Sequence, residues 1–424
     1  MIRKLGSWLQ RRMRLVVLTG LVLVAYLGAI NRAQSLPWFI AAMLTATLLV
    51  GLAWPHWLVG RLSVTRRGPD RAEEGESISF QVDVRNHGIL PRFMVELIDH
   101  LPFAGAAAGK PQKGVSTLGM IGYVPGRSAR QFAMPLVCEK RGFYHLGPVG
   151  LASSFPLGLA EARQQRNEGV HTLTVYPAVF PIVDMSLRGA PSQIHRGGYL
   201  LPEGAGAAEF SGLREYRQGD NPRHIHWPTT ARMNELMVKQ FEPLASACLY
   251  IALDLAGESN VGQGRHATLE YAARIAASIA RFSCYNNIRT RMVGAGSRQV
   301  EVDVGSGALQ YQRILDELAI VDSDGSRPYA SVLEEVATRS IDGETVVVFL
   351  GQPAVESIDI SNALAVLRSK RAHIFAIVFE RSSFVDTSSR EDAQADAVTA
   401  VLQELDARCF RVRSGDDLVH LFNS

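Results

Sequence analysis

Two uncharged runs at the start of the chain constrain everything that follows. Leu15–Ile30 (LVVLTGLVLVAYLGAI) carries no charge, and Ala33–Gly60 is a second such run interrupted only by Pro37, Pro55 and His56. A bilayer core takes roughly 20 apolar residues of helix, so flanking residues bring the first run to length. Four of the five tryptophans (Trp8, Trp38, Trp54 and Trp57) sit at the ends of these runs, where an interfacial aromatic belt belongs. A cleaved signal peptide would share the basic start, but Asn31 and Arg32 intrude on any small-x-small cleavage site. The runs therefore predict a hairpin of two transmembrane helices over residues 1–60. Arg3, Lys4, Arg11, Arg12 and Arg14 precede the hairpin, Arg61, Arg66 and Arg67 follow it, and Arg32 alone lies in the connection. The positive-inside rule then places both termini in the cytoplasm, on a multi-pass membrane protein.

Hydrophobic residues make up 47% and charged residues 20%, so a globular bulk accompanies the membrane segment. A net charge of +3 is too small to point to a nucleic acid. The four cysteines, Cys138, Cys248, Cys284 and Cys409, lie far apart with no CxxC spacing. They read as buried thiols in a reducing compartment, with neither a disulfide framework nor a zinc site.

Residues 61–180 read as a small β domain. SISFQVDVRN (77–86) alternates with Ile78, Phe80, Val82 and Val84 on one face, and PRFMVELIDHLP continues through Phe93, Val95 and Leu97. Further strands are expected over 129–138, 141–149 and 171–176, with a loop over 104–114. Short strands with Gly/Pro punctuation suggest an antiparallel β-sandwich, immunoglobulin-like in outline. SFPLGL (154–159) reads as turn and core.

Residues 181–244 hold an irregular linker and then the densest polar passage, EFSGLREYRQGDNPRHIHWPTTARMNELMVKQFE (209–242). Arg214, Arg217, Arg223, Arg232 and Lys239 meet Glu209, Glu215, Asp220, Glu235 and Glu242, with His224, His226, Tyr216 and Trp227 among them. Balanced charge of this kind suits a network of arginine forks on carboxylates. Three readings stay open. Arg214, Glu215, Tyr216, Asp220, Arg223, Trp227 and Arg232 could form an interdomain network or a partner-binding face. Asp220, Arg223, His224 and His226 could instead be catalytic, although no nucleophile is placed by the spacing. Gly219–Pro222 reads as a turn.

This passage closely resembles the signature of a bacterial family known as domain of unknown function, family 58. The shared positions are Glu209, Phe210, Arg214, Glu215, Tyr216, Gly219, Asp220, Arg223, Ile225, Trp227, Ala231, Arg232, Lys239 and Glu242. RGFYHLGP and SFPLGL resemble a second family stretch, with Ser154 for the usual Asp and Leu157 for the usual Phe. The resemblance implies an association with a MoxR-type AAA+ ATPase, and a transglutaminase-like membrane protein as a further neighbour. It implies no settled reaction, so the chain is expected to be an adaptor or scaffold rather than an enzyme. A metal-assisted hydrolase at the inner membrane face is the alternative.

From 245 to 424 strands alternate with helices. Apolar runs at 248–253, 345–350 and 373–379 are buried strands, and helical periods cover 268–282, 309–320, 331–341, 360–371 and 393–407. The pattern predicts a doubly wound, mainly parallel sheet. The order resembles a von Willebrand factor type A domain, which implies a divalent cation such as Mg2+ at the carboxyl end of the first strand. Asp254 stands at the first ligand position and Glu258 at the third, but Ala256 has no oxygen ligand between them. No dinucleotide or P-loop glycine motif follows any strand, so no nucleotide cofactor is expected.

Overall fold

The computed structural model describes residues 2–32, 35–99, 101, 116–166, 168–183, 185, 208–216, 225–233, 235–243, 248–340, 343–351, 357–385 and 392–423. The expected loop at 104–114 lies outside them, as does most of the linker before residue 208. The chain divides into two compact units, Met1–Tyr176 and Pro177–Ser424.

The first unit opens with α1 (Ile2–Arg32) and α2 (Ser35–Val59). Met13–Asn31 and Ser35–Val59 are long and apolar enough to cross a membrane. Tyr26 and Trp38 meet edge to face at 6.1 Å, and the Thr45 hydroxyl donates to the Tyr26 hydroxyl at 3.3 Å. Ten strands follow: β1 (Leu62–Arg67), β2 (Arg71–Glu73), β3 (Ser77–Asn86), β4 (Arg92–Asp99), β5 (Ser116–Val124), β6 (Ala129–Val137), β7 (Gly142–Leu146), β8 (Gly150–Ser153), β9 (Ala162–Gln165) and β10 (His171–Tyr176). They form three sheets, ordered β1-β3-β6, β2-β10-β7 and β5-β4-β8-β9. Pairing is antiparallel except between β10 and β2. Ile78, Phe80, Val82 and Val84 of β3 all point inward, as the alternation predicts.

β4 departs from its expected face. Met94 has φ 49°, in the left-handed region. That single residue turns the strand, so Arg92, Val95 and Leu97 are buried while Phe93 is only half-buried. The SFPLGL segment is turn and core, as its sequence reads: Leu159 is 8% exposed and belongs to the core, and Phe155 and Leu157 are 37% and 43% exposed. They stand at the tip of a turn, outside the core. Arg66 of β1 and Asp99 at the end of β4 form a fully buried ion pair.

In the second unit β11 (Ala208–Glu215) and β12 (Met237–Pro243) form an antiparallel pair, with α3 (Trp227–Met233) between them in sequence. The remainder is β13 (Cys248–Leu253), α4 (Thr268–Tyr285), β14 (Arg289–Ala295), β15 (Gln299–Gly305), α5 (Gly307–Ile320), α6 (Tyr329–Arg339), β16 (Thr345–Leu350), α7 (Ser357–Ser369), β17 (His373–Phe379), α8 (Arg381–Phe384), α9 (Asp392–Glu404), β18 (Arg408–Val412) and α10 (Leu418–Asn423). Six strands make one sheet, ordered β15-β14-β13-β16-β17-β18, parallel except for β15. The expected alternation is present, and β13 and β16 are buried along their whole length, as strands covered on both faces must be. The chain steps from β13 outward to β14, then returns to β16 on the other side, so the strand order reverses beside β13. An aromatic stack of Phe410 on Phe422 at 4.8 Å, with Phe180 at 5.4 Å from Phe422, fastens α10 to the unit.

All four cysteines are free; Cys138, Cys248 and Cys284 are buried and Cys409 is half-buried. Burial, helped by Glu76, pushes the Cys138 thiol from 9.0 up to about 11. Burial, helped by Glu344, pushes Cys248 up to about 12. The folded thiols stay neutral where unfolded ones ionise. Stability is therefore expected to be intact below pH 9 and to fall as pH rises from about 9 toward 11 and 12. Thermal melts across this range check it, and Cys248→Ala should flatten the upper part of the slope.

Candidate functional site

The motif folds as a hairpin capped by one short helix. β11 and β12 pair in a register that sets Glu209 opposite Glu242, Arg214 opposite Val238 and Glu215 opposite Met237, with an irregularity between Phe210 and Gly212. The Tyr216 amide donates to Leu236 O at 2.8 Å and Ile225 bridges to Val238, so the chain on both sides of residues 217–224 is tied to β12. His226 starts α3. Its carbonyl accepts from the amides of Thr229 and Thr230 at 3.1 and 3.0 Å, and its Nδ1 lies 2.8 Å from the Thr229 hydroxyl. The Thr230 hydroxyl accepts from the Met237 amide at 3.0 Å, which locks the helix onto the strand. The threonines are thus spent on architecture, and His226 is committed to a cap.

Of the expected site residues, Glu215 and Arg232 are exposed, Tyr216 is half-buried, and Arg214 sits within β11. Asp220 and Arg223 lie outside the described residues, as do Arg217, His224 and the expected turn at 219–222. Trp227 is 64% exposed, Met233 60% and Leu236 44%. An indole and a thioether on α3, and an isobutyl group on the turn after it, are thus open to solvent, as is Arg232.

The carboxyl end of the parallel sheet is the second place where polar groups converge. Asp254, directly after β13, is 6% exposed and its Oδ1 accepts from the Ala256 amide at 3.0 Å. Asn260 Nδ2 donates to the carbonyls of Asp254 and Ala256 at 3.1 and 2.9 Å. The Gly257 amide donates to Gly325 O at 3.0 Å and the Gly325 amide to Leu255 O at 2.9 Å. A Cβ on Gly325 would lie 2.3 Å from Ala295 O, so this strand-like clasp admits only glycine. Glu258 is exposed and does not join Asp254 through its carboxylate in any described hydrogen bond or ion pair. Among the described residues no cluster of three His, Cys, Asp or Glu side chains could hold a metal.

Sequence reasoning missed the cation already there. Arg381 Nη1 donates to Gly351 O at 2.5 Å, Ser259 O at 2.9 Å and Glu258 O at 3.2 Å. One guanidinium thus gathers the carbonyl after β16 and the loop after β13. Its sequence signal is position alone: it comes two residues after the buried strand HIFAIVF. Tyr329 was also missed. Its buried hydroxyl donates to Ala252 O at 2.7 Å and accepts from the Phe349 amide at 3.2 Å. Burial holds the Tyr329 pKa well above 10.0, with the Asp254 charge nearby acting in the same direction.

With the hairpin and the sheet in place, comparison with known sequences assigns them. Residues 212–399 match the family described as "Protein of unknown function DUF58". Over that region the chain is similar to this family. It is also 21% identical to the uncharacterized protein YeaD of Bacillus subtilis, over 97% of this chain and 97% of that protein. Similarity to solved structures is slight. The CARDB domain of a Pyrococcus furiosus protein overlaps 27% of this chain and 94% of its own, at 12% identity and a TM-score of 0.20. Proximal thread matrix protein 1 of the mussel byssus overlaps 38% and 47%, at 11% identity and a TM-score of 0.23. Overlaps this loose carry no structural inference.

Proposed function

We propose that this DUF58 protein is a membrane-anchored adaptor, with both termini cytoplasmic on a bacterial inner membrane. Its α/β region would be of the von Willebrand factor A type, and its hairpin would dock a MoxR-type AAA+ ATPase that works on envelope proteins. The reading of the partner comes from family resemblance. The observation that supports docking is the open Trp227, Met233 and Leu236 beside Arg232. Tryptophan, methionine and arginine are enriched at the energetic centres of interfaces, and an indole 64% exposed is the kind of apolar group such a centre buries. The Arg381 guanidinium favours an adaptor over a metal-assisted hydrolase. A fixed cation among the strand-end carbonyls opposes Mg2+, and Ala256 offers no side-chain oxygen. Asp254 would then serve to hold the loop through the Ala256 amide.

The test is affinity capture of the full-length protein from native membranes in mild detergent, with and without ATP, beside Trp227→Ala. Trp227 is exposed, so the variant should fold. Removing a central tryptophan costs about 2 kcal/mol or more of binding, roughly thirtyfold. An AAA+ ATPase recovered with the natural chain and depleted with the variant is the expected result. No ATPase in either nucleotide state would overturn the partner reading. Stoichiometric divalent metal in the purified protein, lost in Asp254→Ala, would favour the hydrolase.

A further inference from the structure

α2 does not leave the membrane segment and stop. Its last third is buried on Gly51, Pro55, Leu58 and Val59, spaced i, i+4, i+7 and i+8, one helical face. The SFPLGL turn lies against that face. A Cβ on Gly51 would meet Leu159 Cδ1 at 2.6 Å and Leu157 Cδ1 at 3.2 Å, so the glycine is what admits the turn. Gly51 is eight residues before Val59, about 12 Å back along the helix axis at 1.5 Å per residue. The turn therefore reaches back along the span itself.

At that level sits an apolar cleft of about 300 Å3, lined by Val50, Trp54, Phe93, Phe155 and Pro156. The Met94 backbone turn is what swings Phe93 outward to form one wall. The turn suits a water-poor boundary. Pro156 has no amide, the Gly158 amide donates to Ser154 O at 2.8 Å, and the Phe155 amide donates to the Ser153 hydroxyl at 3.4 Å. Beside the cleft, Arg92 lies over the Trp57 ring at 3.8 Å, and Trp57 contacts Trp54 at 5.2 Å. Arg92 is 3% exposed, and its Nε and Nη1 have no hydrogen-bond partner among the described residues. Burial and the neighbouring Arg61 charge lower its pKa. Two like charges with one guanidinium underbonded would be relieved by an anion.

We propose that this face is a phospholipid seat. Phe155 and Leu157 insert at the bilayer boundary, an acyl chain lies in the cleft against Val50 and Trp54, and the phosphate sits at the exposed Arg61, next to the buried charge of Arg92. The seat rests on the membrane-anchor reading, because α2 supplies its floor. A lipid is favoured over a protein occupant because that floor is continuous with the candidate span Ser35–Val59.

The full chain in nanodiscs of phosphatidylcholine and phosphatidylglycerol tests it. An environment-sensitive fluorophore is placed at Phe155→Cys, Leu157→Cys, Leu23→Cys in α1 and Ser77→Cys. Ser77 is nine residues from Asn86, which pairs with Leu62 just after α2, so it lies about 30 Å away along β3. The natural chain taken through the same labelling gives the background from its own thiols. Nitroxide-bearing acyl chains should quench the probes at 155 and 157 nearly as fully as at 23, and leave 77 bright. Quenching at 23 with 155 and 157 as bright as 77 would overturn the lipid seat and leave the anchor standing. Blue-shifted but unquenched emission at 155 and 157 would mean a protein cover and overturn it as well. No quenching at 23 would remove the anchor, and the seat with it.

Discussion

Asp99→Ala is expected to cost the first unit about 3–5 kcal/mol, among the largest single losses available to it. Arg66 and Asp99 have side-chain exposures of 0% and 2%, and they are each other's ion-pair partner. Burial pulls the Arg66 pKa down to about 10, still far above neutrality, so the guanidinium stays charged when its partner is gone. Its Nε and Nη1 already lack hydrogen-bond partners among the described residues, which leaves little to compensate the loss. The Phe80 ring at 5.6 Å from the guanidinium offers a cation–π contact too weak to replace a carboxylate. The double variant Arg66→Met/Asp99→Leu should regain most of the stability, because a well-packed apolar pair avoids the desolvation cost altogether. Thermal melts of the detergent-solubilised protein, read through protease resistance of the β region, check both. Equal melting of Asp99→Ala and the natural chain would show that the pair is not a structural element.

How much of this was legible in the sequence depended on whether a residue's local pattern governed it. Ile78, Phe80, Val82 and Val84 alternate without interruption, and β3 follows the pattern to the residue. The next strand does not, because Met94 takes a left-handed conformation that methionine rarely adopts, and nothing in FMVEL announces it. β5 was not anticipated because STLGMIGYV spends two of nine positions on glycine and leaves Met120 56% exposed. α3 was hidden for another reason. WPTTARM has no apolar period, and its helix is fixed by His226, Thr229 and Thr230 hydrogen bonds instead. The buried strands of the second unit were legible because a strand covered on both faces is apolar throughout. At the candidate site the same division holds. Asp254 is marked by its place at the end of such a strand, but Arg381 acts across 122 residues on Ser259 O, a distance over which sequence pattern carries no signal.

The hydroxyl of Tyr329 puts that strand-end arrangement to its sharpest test. Tyr329→Phe removes one oxygen and changes no shape, yet it takes a buried hydrogen bond from each of two backbone groups. Ala252 O loses a donor at 2.7 Å and the Phe349 amide loses an acceptor at 3.2 Å, both buried where water does not reach. Losing a buried hydrogen bond costs about 1–3 kcal/mol, so a loss of roughly 2–4 kcal/mol is expected for the two if the backbone relaxes in part. The effect should be local as well as global. Ala252 belongs to β13 and Phe349 to β16, the two strands whose following loops Arg381 holds by their carbonyls. Hydrogen exchange should therefore accelerate most at Leu253–Asn260 and Phe349–Gly351, and far less at the amino ends of the same strands. Arg381→Met should loosen the two loops while leaving exchange at Ala252 and Phe349 near that of the natural chain, because the tyrosine bridge is intact. Uniform acceleration in both variants would mean that the strand ends are not a separate element. Selective acceleration would establish a clasp built from one arginine and one tyrosine, and would explain how the loops after β13 and β16 are kept ordered.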